Sequence, residues 1–259
     1  MPIETVKMDD VAHKFVIMSG KGGVGKSTVA VNLATSLALQ GKKVGLLDVD
    51  IHGPSIPTML DLAGQKIGSD GEKMFPVDMP GLDNLKVMYI GFMLEAEDAP
   101  VIWRGPMKNG VIRQFLEDVA WGTLDCLIVD CPPGTGDEPL SVIQLLGKAD
   151  GAILVTTPQA VSAVDVSKSI NFCKQLELPV TGIIENMSGF VCPECGKTTY
   201  IFRQGGGKRL AETYDVPFLG SLPIDPAFGE SGDAGKPYVS QFADSSVSKI
   251  YADIARSLV

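Results

Sequence analysis

The sequence predicts an α/β fold, a mostly parallel sheet with helices on both faces. Three observations predict it. Apolar runs of strand length alternate along the chain with longer helical stretches. The strand runs are continuously apolar, as strands covered on both faces are. A glycine-rich segment joins the first strand directly to the first helix.

Taken in order, residues 14–19 (KFVIMS) form a strand ending at Gly20. TVAVNLATSLALQ has no breaker until Gly41 and reads as a helix that stops there. Residues 43–47 form a second strand, ending at Asp48. From His52 to Asp83, Gly and Pro recur without a long period, which predicts loops and short turns. A strand at 85–90, a helix near 107–120 and a strand at 124–129 follow, then a loop rich in Pro and Gly. Residues 151–156 and 181–186 are strands with a helix at 161–176 between them, and a short helix near 205–214 leads to VPFLGSLP. At the end, Val247, Ile250, Tyr251, Ile254 and Leu258 recur at helical spacing, an apolar face suited to docking on the domain. The polar face of that helix has only Lys249 and Arg256 as cations, a poor match for a membrane anchor. No linker or repeat divides the chain. The expectation is one domain over 1–259, with an N-terminal extension at 1–13 and a cysteine-bearing insertion at 187–203.

Composition narrows the function. At 259 residues, with 45% hydrophobic and 20% charged, the chain has the makings of a full core and is not disordered. A net charge of −9 argues against nucleic acid and anionic membrane as partners, since both demand dense Lys and Arg. No stretch of about 20 apolar residues is present for a membrane span. The opening MPIETVKMDD has no apolar signal core, so a cytoplasmic location is expected. Five cysteines are few and odd in number, which favours free thiols or metal ligands over a disulfide framework.

Residues 20–28 read GKGGVGKST and match G-x-x-x-x-G-K-[ST] at Gly20, Gly25, Lys26 and Ser27. The motif follows a strand and opens a helix, as a phosphate-binding loop must. Gly20, Gly22, Gly23, Val24, Gly25 and Thr28 present backbone N–H groups and the helix N-terminus to phosphate oxygens. Lys26 reaches the β- and γ-phosphates of ATP, and Ser27 binds Mg²⁺. Lys21 directly follows the first glycine; alone it reads equally as a solvated cation. The form KGGVGK[ST] resembles the deviant Walker A loop of the MinD/ParA, nitrogenase-iron-protein and Mrp ATPases. That resemblance gives Lys21 a role in trans, on phosphates bound by a partner subunit, and implies a homodimer around the nucleotides.

Asp48 and Asp50 follow the second strand, and Asp130 ends the strand LIVD. An aspartate after an apolar strand suits Mg²⁺, so Asp130 is the expected metal partner of Ser27. Gly134 and Gly136 suit a segment that senses the γ-phosphate. Cys131 is read as a packed thiol, and His52 as a loop residue with no assigned chemistry. By resemblance, Asp50 is the carboxylate that orients the attacking water, and Asn186, Pro223 and Asp225 contact adenine.

Residues 190–197 read FVCPECGK, with Cys192 and Cys195 in a C-P-x-C-G form that resembles the metal knuckles of rubredoxins and zinc ribbons. Such sites want four ligands, and the chain offers two here. Two copies of the chain would complete Cys₄. An iron–sulfur cluster, a bridging zinc, a redox pair and an inert pair of surface thiols are the readings left by the residues alone.

KGGVGKST, LLDVDIHGPSIP, WRGPMKNG, LIVDCPPGTGDEPLS, ENMSGFVCPECG and VPFLGSLPIDP occur in the order found in the Mrp/ApbC family of iron–sulfur cluster carrier ATPases, nearest its cytosolic and archaeal branches. The resemblance implies an ATPase that holds a [4Fe–4S] cluster on paired CxxC knuckles, as a homodimer or with a homologous ATPase. It delivers the cluster to apo iron–sulfur proteins. Some members carry an N-terminal four-cysteine motif; no cysteine here precedes Cys126, so no second cluster is expected at that end. Two competing readings are a MinD/ParA-like positioning ATPase and a zinc-bridged dimeric binding module.

Overall fold

The computed structural model describes residues 5–50, 53, 55–89, 92 and 105–259, the side chains of 105–108 aside. His52, Trp103 and Arg104 lie outside the described residues. In chain order the first half comprises β1 (Val11–Ser19), α1 (Lys26–Leu39), β2 (Val44–Asp48), α2 (Ile56–Met59), β3 (Gly68–Ser69), β4 (Met74–Phe75), β5 (Val77–Met79), β6 (Leu82–Tyr89), α3 (Gly105–Glu117) and β7 (Leu124–Asp130). There follow α4 (Asp137–Leu146), β8 (Gly151–Thr156), α5 (Ala160–Gln175), β9 (Val180–Glu185), β10 (Phe190–Val191), β11 (Thr198–Thr199), α6 (Gly206–Tyr214), β12 (Phe218–Ser221), α7 (Ala227–Asp233), α8 (Tyr238–Gln241) and α9 (Ser246–Leu258).

One eight-stranded sheet runs β12-β9-β8-β1-β7-β2-β6-β5. Every neighbouring pair is parallel except β5 and β6. All residues of β2 and β8 are buried, so both faces of the sheet's middle are covered. This is the α/β architecture the apolar runs predict. The C-terminal ends of β1, β2, β7, β9 and β12 share one rim, the edge where open parallel sheets bind ligands.

Among the described residues the structure adds short elements that the sequence reading did not expect, α2, β3, β4, α7 and α8 among them, and departs from it at several further places. β1 begins at Val11, so the N-terminal extension ends at residue 10; the half-exposed His13 and Lys14 hide the strand's first residues from the apolar pattern. The Gly- and Pro-rich stretch before residue 83 supplies β5, an antiparallel edge strand. The loop expected after Asp130 turns into α4 within a few residues. VPFLGSLP contains β12, the opposite edge strand, parallel to β9.

In α9, Val247, Tyr251, Ile254 and Leu258 are buried. The helix packs against α1, the helix opened by the phosphate loop. Its apolar face is therefore spent on the domain. Ser245 caps its N-terminus by accepting the Ser248 N–H at 3.0 Å. No helix among the described residues is long and apolar enough to cross a membrane.

Candidate functional site

The glycine-rich loop leaves β1 at Ser19 and enters α1 at Lys26. Packing against backbone dictates its first glycine, and left-handed backbone beside the Asn186 side chain its last. A Cβ on Gly20 would lie 2.4 Å from the Asp165 backbone in α5, and one on Gly25 would lie 2.2 Å from Asn186 Nδ2. Gly25 also has φ 82, a left-handed conformation that disfavours side chains. A cavity of about 240 Å³ opens over the loop, and Lys21, Lys26, Ser27, Asp50 and Pro133 are among its walls. A larger hollow of about 500 Å³ lies beyond Thr28, between α1, α2, α7 and α8. It lacks the loop's glycines and lysines, so the smaller cavity is the candidate phosphate site.

Lys26 is buried, with Nζ 2.6 Å from Asp130 Oδ1 and 3.3 Å from Ser27 Oγ. The Ser27 hydroxyl donates to Asp130 Oδ2 at 2.5 Å. Burial works to lower the Lys26 pKa, but Asp130, backed by Asp48 and Asp50, outweighs it and raises the ammonium above its ordinary value. Burial raises the Asp130 carboxyl against the pull of Lys26.

Asp48 pairs in register with Asp130 across β2 and β7. It is fully buried; Oδ1 accepts the Asp50 N–H at 2.9 Å, while Oδ2 has no partner among the described residues. Burial and then the neighbouring Asp130 hold its carboxyl well above the usual carboxylate range. Two buried carboxylates thus lie near one ammonium that pairs with only one of them, and one oxygen has no partner among the described residues. That excess of buried acid, with the Ser27 hydroxyl beside it, fits Mg²⁺, which takes hard oxygen ligands and retains waters. Asp50 is half-buried on the cavity wall. Sequence reasoning favoured Asp50 over Asp48 for a catalytic role, and two aspartates two positions apart are told apart in environment only by burial.

A second cavity, about 250 Å³, continues from Gly25 and Thr28 and is walled by Asn186, Pro223 and Asp225. The three residues expected near adenine are thus brought to one place beside the loop. Asn186 Nδ2 donates to the Val24 carbonyl at 2.9 Å. Asp225 accepts the Ala227 N–H at 2.9 Å and the Tyr238 hydroxyl at 2.6 Å. Its carboxylate therefore braces the cavity's own wall.

The cysteine-bearing insertion leaves β9 and returns at α6. Cys192 and Cys195 sit on the loop of the β10–β11 hairpin, Cys192 half-buried and Cys195 exposed. The Cys192 sulfur accepts the N–H groups of Cys195 and Glu194 and the thiol of Cys195, which lower its pKa in that order of effect. N–H groups aimed at a sulfur stabilise thiolate, the form that binds metal. Gly196, with φ 69, closes the turn, and its N–H donates to the Cys192 carbonyl at 2.8 Å. The other three cysteines are buried, and burial pushes the Cys126 and Cys173 thiols up to about 12 and Cys131 higher still. Among the described residues no set of three or more His, Cys, Asp or Glu gathers as a metal site, so none of them adds a further ligand to the pair.

Glu185 roots the insertion, and the sequence carried no sign of it. Its buried carboxylate accepts the Ser188 hydroxyl at 2.6 Å, the Gly205 N–H at 3.2 Å and the Gly207 N–H at 2.6 Å, drawing both ends of the insertion together. An acid ending an apolar strand has no local pattern that distinguishes a clamp from a solvated turn.

A phosphate loop, a lysine–aspartate pair and a strand-end carboxylate on a parallel sheet define a P-loop nucleotide-binding protein of the MinD/ParA architecture. MinD from Aquifex aeolicus shares that fold, with a TM-score of 0.68 at 24% identity over 95% of this chain and 97% of its own. The model of the NUBPL iron-transfer P-loop NTPases matches residues 10–259, and the chain belongs to that family. It is 51% identical to the iron–sulfur cluster carrier protein of Methanocaldococcus jannaschii, over 97% of this chain and 86% of the relative. It is 49% identical to the cytosolic Fe–S cluster assembly factor NUBP2 of Gallus gallus, over 99% of this chain and 95% of that one. A nucleotide-binding protein from Archaeoglobus fulgidus, solved with ADP and with cobalt found in it, superposes with a TM-score of 0.78 at 44% identity, covering 88% of each chain.

Proposed function

We propose that the chain is an ATP-hydrolysing carrier of iron–sulfur clusters. Two copies hold one [4Fe–4S] cluster between their Cys192–Cys195 pairs and pass it to apo iron–sulfur proteins in the cytoplasm. One observation carries the reading: an accessible, thiolate-favouring cysteine pair has no further metal ligand gathered beside it among the described residues. Four thiolates then require a second chain, either another copy or a homologous ATPase. Membership of an iron-transfer family supports iron over zinc.

The phosphate site supplies the ATPase. Lys26 neutralises the phosphate oxygens, giving up its contact with Asp130 as they arrive. Ser27 and Asp130 hold Mg²⁺, which offsets phosphate charge. Asp50 orients the attacking water, and Lys21 of a second copy adds positive charge at the phosphates when two chains meet. A positioning ATPase is less well supported, because the terminal helix has no free apolar face for a membrane.

The test is anaerobic reconstitution with iron and sulfide, followed by metal analysis and mass determination in solution. About four irons per two chains is expected. Cys192→Ser and Cys195→Ser should each lose the cluster completely while still binding ADP. One cluster per single chain would refute the bridge. Zinc at one per pair of chains, with no uptake of iron and sulfide, would replace the carrier with a zinc-bridged module.

A further inference from the structure

We propose that Phe202, a side chain of the cysteine-bearing insertion, is a base-contacting residue of the nucleotide site. The proposal rests on the nucleotide reading above and extends it: the insertion that carries the metal knuckle also supplies one wall of the base cavity.

The cavity beyond Gly25 and Thr28 is bounded on the domain side by Asn186, Pro223 and Phe228, and on the insertion side by Met187 and Phe202. Phe228 is a fixed wall, because its ring stacks on Tyr238 at 4.2 Å and Tyr238 is tied to Asp225. Phe202 arrives from the other direction, past the β10–β11 hairpin. Met187 and Arg203, at the two ends of the insertion, both hold left-handed backbone, φ 57 and φ 75. Non-glycine residues adopt that conformation at a cost, so surrounding contacts must impose it. Those contacts are on hand. Glu185 grips Ser188 at one end and Gly205 and Gly207 at the other. The Ile224 N–H donates to the Gly189 carbonyl at 2.7 Å, and Phe190 bridges Ile224. The half-buried Phe202 ring is therefore presented to the cavity by an anchored arm. A flat aromatic wall in an apolar slot beside a phosphate loop suits a planar heterocyclic base, whose π-face stacks on it.

The test compares ADP with tripolyphosphate, a probe that fills the phosphate cavity and has no base. Both are titrated, with Mg²⁺, into the wild-type chain, Phe202→Ala and Phe202→Tyr. Stacking of this kind predicts that Phe202→Ala weakens ADP by roughly 5- to 100-fold. Tripolyphosphate binding should stay unchanged in that variant, and Phe202→Tyr should keep wild-type ADP affinity. Equal ADP affinity in wild type and Phe202→Ala overturns the proposal. So does a parallel loss of both probes, which marks a structural defect instead of a lost base contact. A wild-type chain that binds neither probe overturns the nucleotide reading beneath it as well.

Discussion

Asp48 is the residue whose environment has the clearest energetic consequence. Its carboxyl pKa is raised in the folded chain, so folded protein holds that proton more tightly than unfolded protein does. The stabilising proton is present below the ordinary carboxylate range, and that stability is lost as pH rises through the folded value. Asp48→Asn removes this penalty and places an amide donor against Asp130. The nucleotide-free variant should gain about 1 kcal/mol, raising Tm by roughly 2–4 °C near neutrality and flattening its fall with pH. Thermal melts from acid to neutral pH check this; an unchanged Tm would show that Asp48 is already relieved. Mg²⁺-dependent nucleotide binding should weaken in the same variant. The cysteines divide as sharply. Only Cys192 and Cys195 should take up iodoacetamide in folded, metal-free protein, because burial keeps Cys126, Cys131 and Cys173 protonated and out of reach. Peptide mapping that finds label on a buried cysteine before unfolding would contradict that division. Gly20, Lys26, Ser27 and the cysteine pair are legible in sequence because their chemistry is local, fixed by spacing within a few residues. Glu185 and Phe202 are not, because each meets its surroundings through segments distant in sequence or on another strand.

Among the elements, α4 shows why punctuation residues mislead. Its sequence, DEPLSVIQLL, follows a run of Pro and Gly and carries Pro139, which reads as more loop. Pro139 lies in the first turn, where the missing N–H has no helical acceptor to lose. Asp137 and Glu138 favour the helix N-terminus, and Val142, Ile143, Leu145 and Leu146 bury its apolar side. β5 escaped notice because three residues are too few for a period to register. The longer β2 and β8, buried throughout, and β7 and β9, buried over most of their length, were legible because burial makes them mainly apolar. α9 was legible through its spacing, and its cap now gives it an energy. Ser245→Ala removes the acceptor for the Ser248 N–H and should cost about 1 kcal/mol, lowering Tm by roughly 2–4 °C. Because α9 packs on α1, calorimetry should show one cooperative transition moving as a whole; a separate early transition would mean that α9 melts alone.

For the molecule as a whole, the parallel sheet gathers phosphate loop, acids, base cavity and insertion at one rim. The two-copy arrangement we propose makes Lys21 the decisive cation. If it acts in trans, Lys21→Ala mixed with Lys26→Ala concentrates both lesions at one composite site and leaves the other intact. ATPase activity should then reappear at up to about half the wild-type rate per mixed dimer, since one of its two sites is spared. Mixed dimers that form, as shown by mass, yet stay inactive would return Lys21 to a surface role. The sequence could suggest this only through resemblance, because a lysine's reach across an interface leaves no trace in one chain's spacing.

The backbone strip that roots the cysteine insertion also borders the base cavity. Ser188 donates its N–H to Leu222, and Ile224 donates to Gly189. If the chain carries a cluster and a nucleotide as proposed, this shared strip would link the two sites: displacing it at one end would change the energy of occupying the other. Equilibrium binding then imposes a reciprocity. Whatever factor cluster loading applies to ADP affinity, ADP must apply to cluster affinity in the same sense and size. Hydrolysis, by exchanging one nucleotide for another with a different factor, would alternate the carrier between a retaining and a releasing state. Identical ADP affinities with and without the cluster would show the strip to be rigid, and release would have to be driven by the recipient protein alone.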